Sequence, residues 1–157
     1  MKTTLYTLGY EKRTITEFVL LLVEAGIDVL IDVRETAWSH KPGFSKTALR
    51  ERLAEKGIDY VHARFAGNPK ALRSIAGSHE ECLALYEDHI TRDEAILGEF
   101  EKLVAALSAE GKRICITCFE RHPGDCHRGI IAARWSERGR RAVHHLAPTG
   151  CPRLVSV

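Results

Sequence analysis

Two short, mostly apolar runs constrain this chain most: Val29-Leu30-Ile31-Asp32-Val33 and Arg113-Ile114-Cys115-Ile116-Thr117-Cys118. A strand with one wet face alternates polar and apolar residues, whereas a strand covered on both faces does not. Such runs, set between segments of helical period, call for a parallel sheet with helices on both sides. The remaining pattern agrees. Thr4-Leu5-Tyr6-Thr7-Leu8 reads as a first strand ended by Gly9. Thr14-Ile15-Thr16-Glu17 has the form of a capping box, after which Phe18, Leu21, Leu22 and Ala25 mark one helical face and Gly26 a stop. Residues 35–44 form a long loop containing Pro42-Gly43. Ser45 is then expected to cap a helix with Ala48, Leu49 and Leu53 inward and Gly57 at its end. Ile58–His62 is a weaker strand that suits a sheet edge.

In the second half, Gly67, Asn68 and Pro69 indicate a loop with a short helix after the proline. Ser78-His79-Glu80-Glu81 and Thr91-Arg92-Asp93-Glu94 are two further capping-box patterns. The second is expected to open a helix with Leu97, Phe100, Leu103, Val104 and Leu107 on one face, ended by Gly111. A last helix is expected from Cys126 to Arg138, capped by Asp125 and closed by Gly139, before a final strand at Ala142–Leu146. The expectation is one α/β domain over residues 1–157, with three layers and a mainly parallel sheet of about five strands flanked by helices.

Composition narrows the function classes. The chain has 157 residues, which suits one domain. Its net charge of +2 points to neither nucleic acid nor a membrane as partner. The most apolar stretch, Phe18–Ile31, is broken by Glu24, Gly26 and Asp28, so it cannot span a bilayer, and no secretory signal is visible. Five cysteines (Cys82, Cys115, Cys118, Cys126 and Cys151), odd in number and irregular in spacing, argue for a reducing, cytoplasmic setting without a disulfide framework. Glycine-rich nucleotide loops are lacking, and the sequence identifies no cofactor. The basic stretch Arg134, Arg138, Arg140 and Arg141 includes Glu137 and lacks interleaved aromatics, so it reads as a solvated helix end.

Open parallel sheets bind ligands beyond the carboxyl ends of their strands. Here those ends are Gly9-Tyr10, Asp32-Val33-Arg34, Ala63-Arg64 and Cys118-Phe119-Glu120. The segment Cys118 to Arg128 is the richest. A cysteine ends a strand, a turn follows at Pro123-Gly124, and Cys126, His127 and Arg128 enter a helix whose free N–H groups favour anions. A thiol near Arg121, His122, His127 and Arg128 is a candidate nucleophile, with Glu120 as acid or base and Arg128 as an anion clamp. Phosphatase and sulfurtransferase loops share the order strand, cysteine, loop, helix, but the cysteine–arginine spacing here differs from theirs. Metal binding by Cys118, Cys126 and His127, with Asp32 or Glu120 as a fourth ligand, is a second reading. A reversible Cys118–Cys126 redox pair is a third, and two buried small hydrophobes the plainest.

Asp32 ends an apolar run two residues before Arg34. The two either bind a ligand, with Arg34 as a further clamp, or pair to hold the sheet edge. Tyr10 either lines the pocket or packs. Trp38, His40, Lys41 and Phe44 lie in a loop long enough to act as a lid. His144 and His145 point to opposite faces of their strand. His62, His79 and His89 read as surface residues and Cys115 as core, while Cys82 and Cys151 receive no role.

Thr7-Leu8-Gly9-Tyr10, Asp32-Val33-Arg34, Pro42-Gly43-Phe44 and the block Cys118-x-Glu120, Pro123, Cys126-His127-Arg128 together resemble the bacterial and archaeal family catalogued as domain of unknown function 488. The resemblance covers nearly the whole chain. It implies an α/β fold and a motif set of Gly9, Asp32, Arg34, Cys118, Glu120, Cys126, His127 and Arg128, and it names no reaction. The chain departs from the family pattern at Thr36-Ala37-Trp38 and Phe65-Ala66-Gly67.

The resulting expectation is a small cytoplasmic enzyme, a thiol- or metal-dependent transferase or hydrolase, acting on an anionic small molecule such as a phosphorylated metabolite or nucleotide. Cys118, Glu120, Asp32, Cys126 and His127 form its catalytic set. Arg34, Arg128, Tyr10 and Gly9 contact the substrate. The rival expectations are a non-catalytic anion-binding module and a metal or redox site at Cys118, Cys126 and His127.

Overall fold

The structure, a computed structural model, describes residues 3–146. In chain order the elements are β1 (Thr4–Gly9), α1 (Ile15–Glu24), β2 (Val29–Asp32), α2 (Lys46–Ala54), β3 (Asp59–His62), α3 (Lys70–Ile75), α4 (His79–Arg92), α5 (Glu94–Ala109), β4 (Ile114–Cys118), α6 (His127–Gly139) and β5 (Ala142–His145). The five strands form one parallel sheet in the order β3-β2-β4-β1-β5, the α/β architecture expected. β3 is an edge, as its weaker pattern suggested.

Period-two alternation divides the core into two layers. Leu5, Val29, Ile31, Ile114, Ile116 and Cys118 face α4, α5 and α6, where Tyr86, Phe100, Val104, Ile131 and Trp135 meet them. Leu8, Tyr10, Leu30 and Cys115 face α1 and α2, packing on Phe18, Leu22, Leu49 and Leu53. β4 lies mid-sheet and all five of its residues are buried, which explains its nearly continuous apolar run. The register sets Gly9 opposite Cys118 and Asp32 opposite Thr117, so the carboxyl ends of β1, β4 and β2 lie side by side.

Local signals hold in part. The capping box at Thr14 forms in both directions, and Gly26 adopts a positive φ after α1. Thr91 does not cap α5. It lies inside α4, where its hydroxyl donates to the Glu87 carbonyl, and Asp93 caps α5 by accepting from the Ala95 N–H. Ser45 precedes α2, but its hydroxyl bonds Ser39 instead of the helix, and Ala48 faces solvent. Asp125 belongs to a 3-10 turn, Pro123–Asp125, so the extended residue before α6 is Cys126. At the far end Gly139 is still helical, and Arg140 takes the left-handed conformation, φ 50°. Among the described residues no helix is long and apolar enough to cross a membrane. Cys151 lies outside the described residues.

Candidate functional site

The site begins where β4 stops. Cys118 is the last strand residue, and the chain turns back through Pro123–Asp125 to start α6 against it. Gly129 permits this return, because any Cβ there would overlap the Pro123 carbonyl. The result is a cluster of Cys118, Cys126 and His127, all buried, whose sulfur and ring-nitrogen ligand atoms lie within 4.8 Å of one another. His127 Nδ1 is 3.3 Å from Cys118 Sγ, while His127 Nε2 is 2.7 Å from the Val33 carbonyl oxygen. A carbonyl only accepts, so Nε2 carries a proton and Nδ1 is the atom offered to the thiols.

Burial, then the neighbouring Cys118, push the Cys126 thiol well above its ordinary pKa. Burial pulls His127 toward its neutral form, but Cys126, the Val33 carbonyl and Glu120 outweigh it and raise the pKa. Tyr86 closes the cluster from α4. Its ring lies edge-on to His127 at 5.1 Å between centroids, and its hydroxyl donates to the Ala66 carbonyl. Glu120 is half-buried, with Oε2 3.7 Å from Cys118 Sγ.

Asp32 and Arg34 form a separate group. Arg34 Nε and Nη2 donate to both Asp32 carboxylate oxygens, the shortest contact being 2.6 Å, and the Arg34 side chain is only 7% exposed. Arg34 Nη1 donates to the Tyr10 hydroxyl, and the Tyr60 hydroxyl donates to Asp32. Burial works against the Arg34 charge, and Asp32 more than offsets it. Tyr10 and Tyr60 belong to the core on the α1–α2 side, whereas Cys118 and Cys126 belong to the other. Asp32 therefore does not join the cysteines. The two groups communicate through Val33, the residue between Asp32 and Arg34, whose carbonyl holds His127.

Arg128, fully buried, bonds through all three guanidinium nitrogens: to the Thr7 hydroxyl and to the Glu120 and Arg121 carbonyls. It ties the segment after Cys118 to β1 instead of presenting an open fork. Gly9 accommodates this packing, since a Cβ there would overlap the Glu120 carbonyl and lie 2.9 Å from Arg128 Nη1. Tyr10 is buried and stacks on Phe44, which leaves Trp38 exposed beyond it in the long loop. His145 bonds the Thr7 hydroxyl and His144 packs on Tyr6, on opposite sides of β5 as expected. The basic residues Arg134, Arg138 and Arg141 pair with Glu87, Glu137 and Glu101.

Sequence reasoning missed Tyr60, Tyr86 and Gly129. Tyr86 is one apolar position among several on α4, and Tyr60 one residue of an edge strand. Nothing local marks either. Gly129 did carry a signal, because a glycine in the first turn of a helix is intrinsically unfavourable and needs a packing reason.

Fold and site together define a parallel α/β protein with a buried two-cysteine, one-histidine cluster at the carboxyl edge of its sheet. The chain belongs to the family described as Domain of unknown function DUF488, which it matches over residues 14–135, from the cap of α1 to Trp135 of α6. No curated protein and no solved structure matches it.

Proposed function

We propose that this protein is a metal-dependent enzyme of the hydrolase or transferase class, acting on a small anionic molecule, with Cys118, Cys126 and His127 as metal ligands. One observation carries the reading: three donor atoms of the right kinds converge within 4.8 Å, and His127 is oriented by the Val33 carbonyl so that Nδ1 faces the sulfurs. Metal-bound histidines characteristically donate their second N–H to a carbonyl or carboxylate in this way. Two thiols and an imidazole suit a zinc-class ion, and a set of three protein ligands leaves a fourth position for water or substrate. Such an ion supplies Lewis acidity and lowers the pKa of a bound water.

The surrounding residues have definable tasks. Glu120, half-buried beside Cys118, is placed to move a proton at the edge of the cluster. Tyr86 and the apolar residues of α4 and α6 pack around the thiols and hold them in place. The high pKa that burial imposes on the free Cys126 thiol means that a cation must displace its proton on binding.

The test is elemental analysis of protein purified without chelator, combined with thiol alkylation resolved by peptide. The reading expects metal stoichiometric with the chain, and Cys118 and Cys126 protected until a chelator is added. Protein that takes up no zinc-class ion, even when reconstituted under reducing conditions, overturns it. The 3.3 Å approach of Cys118 Sγ to His127 Nδ1 supports a second reading, a thiolate–imidazole nucleophile. That reading expects rapid alkylation of Cys118 unaffected by chelator.

A further inference from the structure

The expected anion clamps, Arg34 and Arg128, are engaged with Asp32 and with loop carbonyls. A different arginine has donors to spare. Arg13, between β1 and α1, is only 6% exposed. Its Nε donates to the Gly9 carbonyl at 3.1 Å, and neither of its terminal nitrogens has a hydrogen-bond partner among the described residues. No carboxylate of the described residues pairs with it at salt-bridge distance. The terminal nitrogens are not among the buried atoms that lack a partner, so this end of an otherwise buried side chain reaches the surface with its donors open to a ligand.

Further cations gather at the same strand end. Lys41 Nζ donates to the Tyr10 carbonyl at 2.9 Å, one residue along from the carbonyl that Arg13 holds. The Arg121 backbone N–H donates to Glu11 Oε2 at 2.9 Å, which anchors the Arg121 backbone beside the turn between β1 and α1. Burial first, and the charge of Arg121 second, lower the Arg13 pKa. Lys41 is lowered by burial, with Glu17 and then Glu11 opposing and Arg13 adding to the fall, and Glu17 likewise opposes the fall at Arg13. The nearby carboxylates have other duties: Glu17 closes the capping box on the Thr14 N–H, and Glu11 holds the Arg121 N–H. Mutually repelling cations anchored on carbonyls and lying beyond parallel strand ends form the setting in which an oxyanion relieves both repulsion and unused donors.

We propose that Arg13, with Lys41 and Arg121, binds the phosphoryl group of the substrate at the carboxyl ends of β1 and β4. This rests on the enzyme reading above, and it places the group next to the strand position paired with Cys118. Arg13 supplies two parallel N–H donors, the fork geometry that suits a tetrahedral oxyanion.

The experiment is isothermal titration of the whole chain at low ionic strength with inorganic phosphate and, separately, phenyl phosphate, with metal content measured on each sample. Both probes are expected to saturate one shared site, and the monoester to displace inorganic phosphate. Arg13→Gln should weaken both by about tenfold or more, the loss expected for a charged hydrogen-bond pair. Arg121→Gln should weaken them less, and Arg134→Gln, which alters a residue paired with Glu87 on the far helices, should leave them unchanged. Circular dichroism reports whether Arg13→Gln is folded; if it is not, Lys41→Gln and Arg121→Gln decide. Absence of saturable binding by the wild type overturns the proposal, as does wild-type affinity in the folded variants or an equal loss in Arg134→Gln. Phosphate binding without metal uptake would leave this site standing and remove the metal reading. Metal uptake without phosphate binding would do the reverse.

Discussion

His127 is held from two directions: its Nε2 bonds the carbonyl of Val33, the residue after β2, at 2.7 Å, and its Nδ1 faces Cys118 of β4 at 3.3 Å. One side chain from α6 thus bridges the carboxyl ends of two neighbouring strands, and its tautomer is set by the Val33 carbonyl. Substituting it should affect both metal affinity and the join between α6 and the sheet.

Cobalt(II) titration of metal-free protein separates these effects. The wild type should develop thiolate-to-cobalt charge-transfer absorption. Cys126→Ser and His127→Ala should each weaken cobalt binding by more than the roughly 10–100-fold typical of losing an outer-shell partner. Cys115→Ser should bind as the wild type does, because Cys115 faces the other core layer. Undiminished affinity in Cys126→Ser would exclude Cys126 as a ligand.

The Asp32–Arg34 pair is buried, so removing one member strands the other charge. Asp32→Ala should destabilise the fold by about 3–5 kcal/mol. Tyr60→Phe, which removes one hydrogen bond to the same carboxylate, should cost about 1 kcal/mol. Urea denaturation midpoints give both values. Near-equal losses would mean that the ion pair is not what holds this edge.

Two helical glycines should respond in opposite directions to alanine. Gly98 in α5 has open space where a Cβ would stand, so Gly98→Ala should stabilise by about 1 kcal/mol through helix propensity. Gly129 in α6 has the same propensity to gain. Its Cβ, however, would overlap the Pro123 carbonyl, and overpacking of that kind costs about 1–3 kcal/mol. Gly129→Ala should therefore be destabilising and should loosen the turn that carries Cys126. A shared sign for the two variants would contradict this packing.

His145 gives a pH signature. Burial, then Arg128 and His144, lower its pKa below the ordinary 6.5 while its Nδ1 bonds the Thr7 hydroxyl. The unfolded chain then binds the proton more readily than the folded one. Its contribution to stability is complete above pH 6.5 and is lost as pH falls through the lowered folded value. Between about pH 5 and 8, the wild type should lose more stability on acidification than His145→Gln does. Parallel stability curves for the two proteins would remove His145 as the titrating group.

The sequence by itself determined the elements and the segment that carries the chemistry. Apolar runs at β2 and β4, the capping box at Thr14 and the glycine stops are local signals, as is the crowding of Cys118, Glu120, Cys126, His127 and Arg128 into one loop and helix start. It misjudged boundaries where two local signals competed. At Thr91 the helix continued through a hydroxyl that bonds its own backbone, and at Asp125 the Pro123 turn kept the aspartate out of the cap. Tertiary structure alone decided which groups meet. The order β3-β2-β4-β1-β5 places β2 beside β4, so Val33 reaches His127 across 94 positions of chain, and β1 beside β4, so Gly9 lies against Glu120. The same order, with period-two alternation, sends Asp32 to the opposite layer from Cys118, although both end neighbouring strands. Strand order follows from how helices cross over and pack on the sheet, a non-local property that no window of sequence carries.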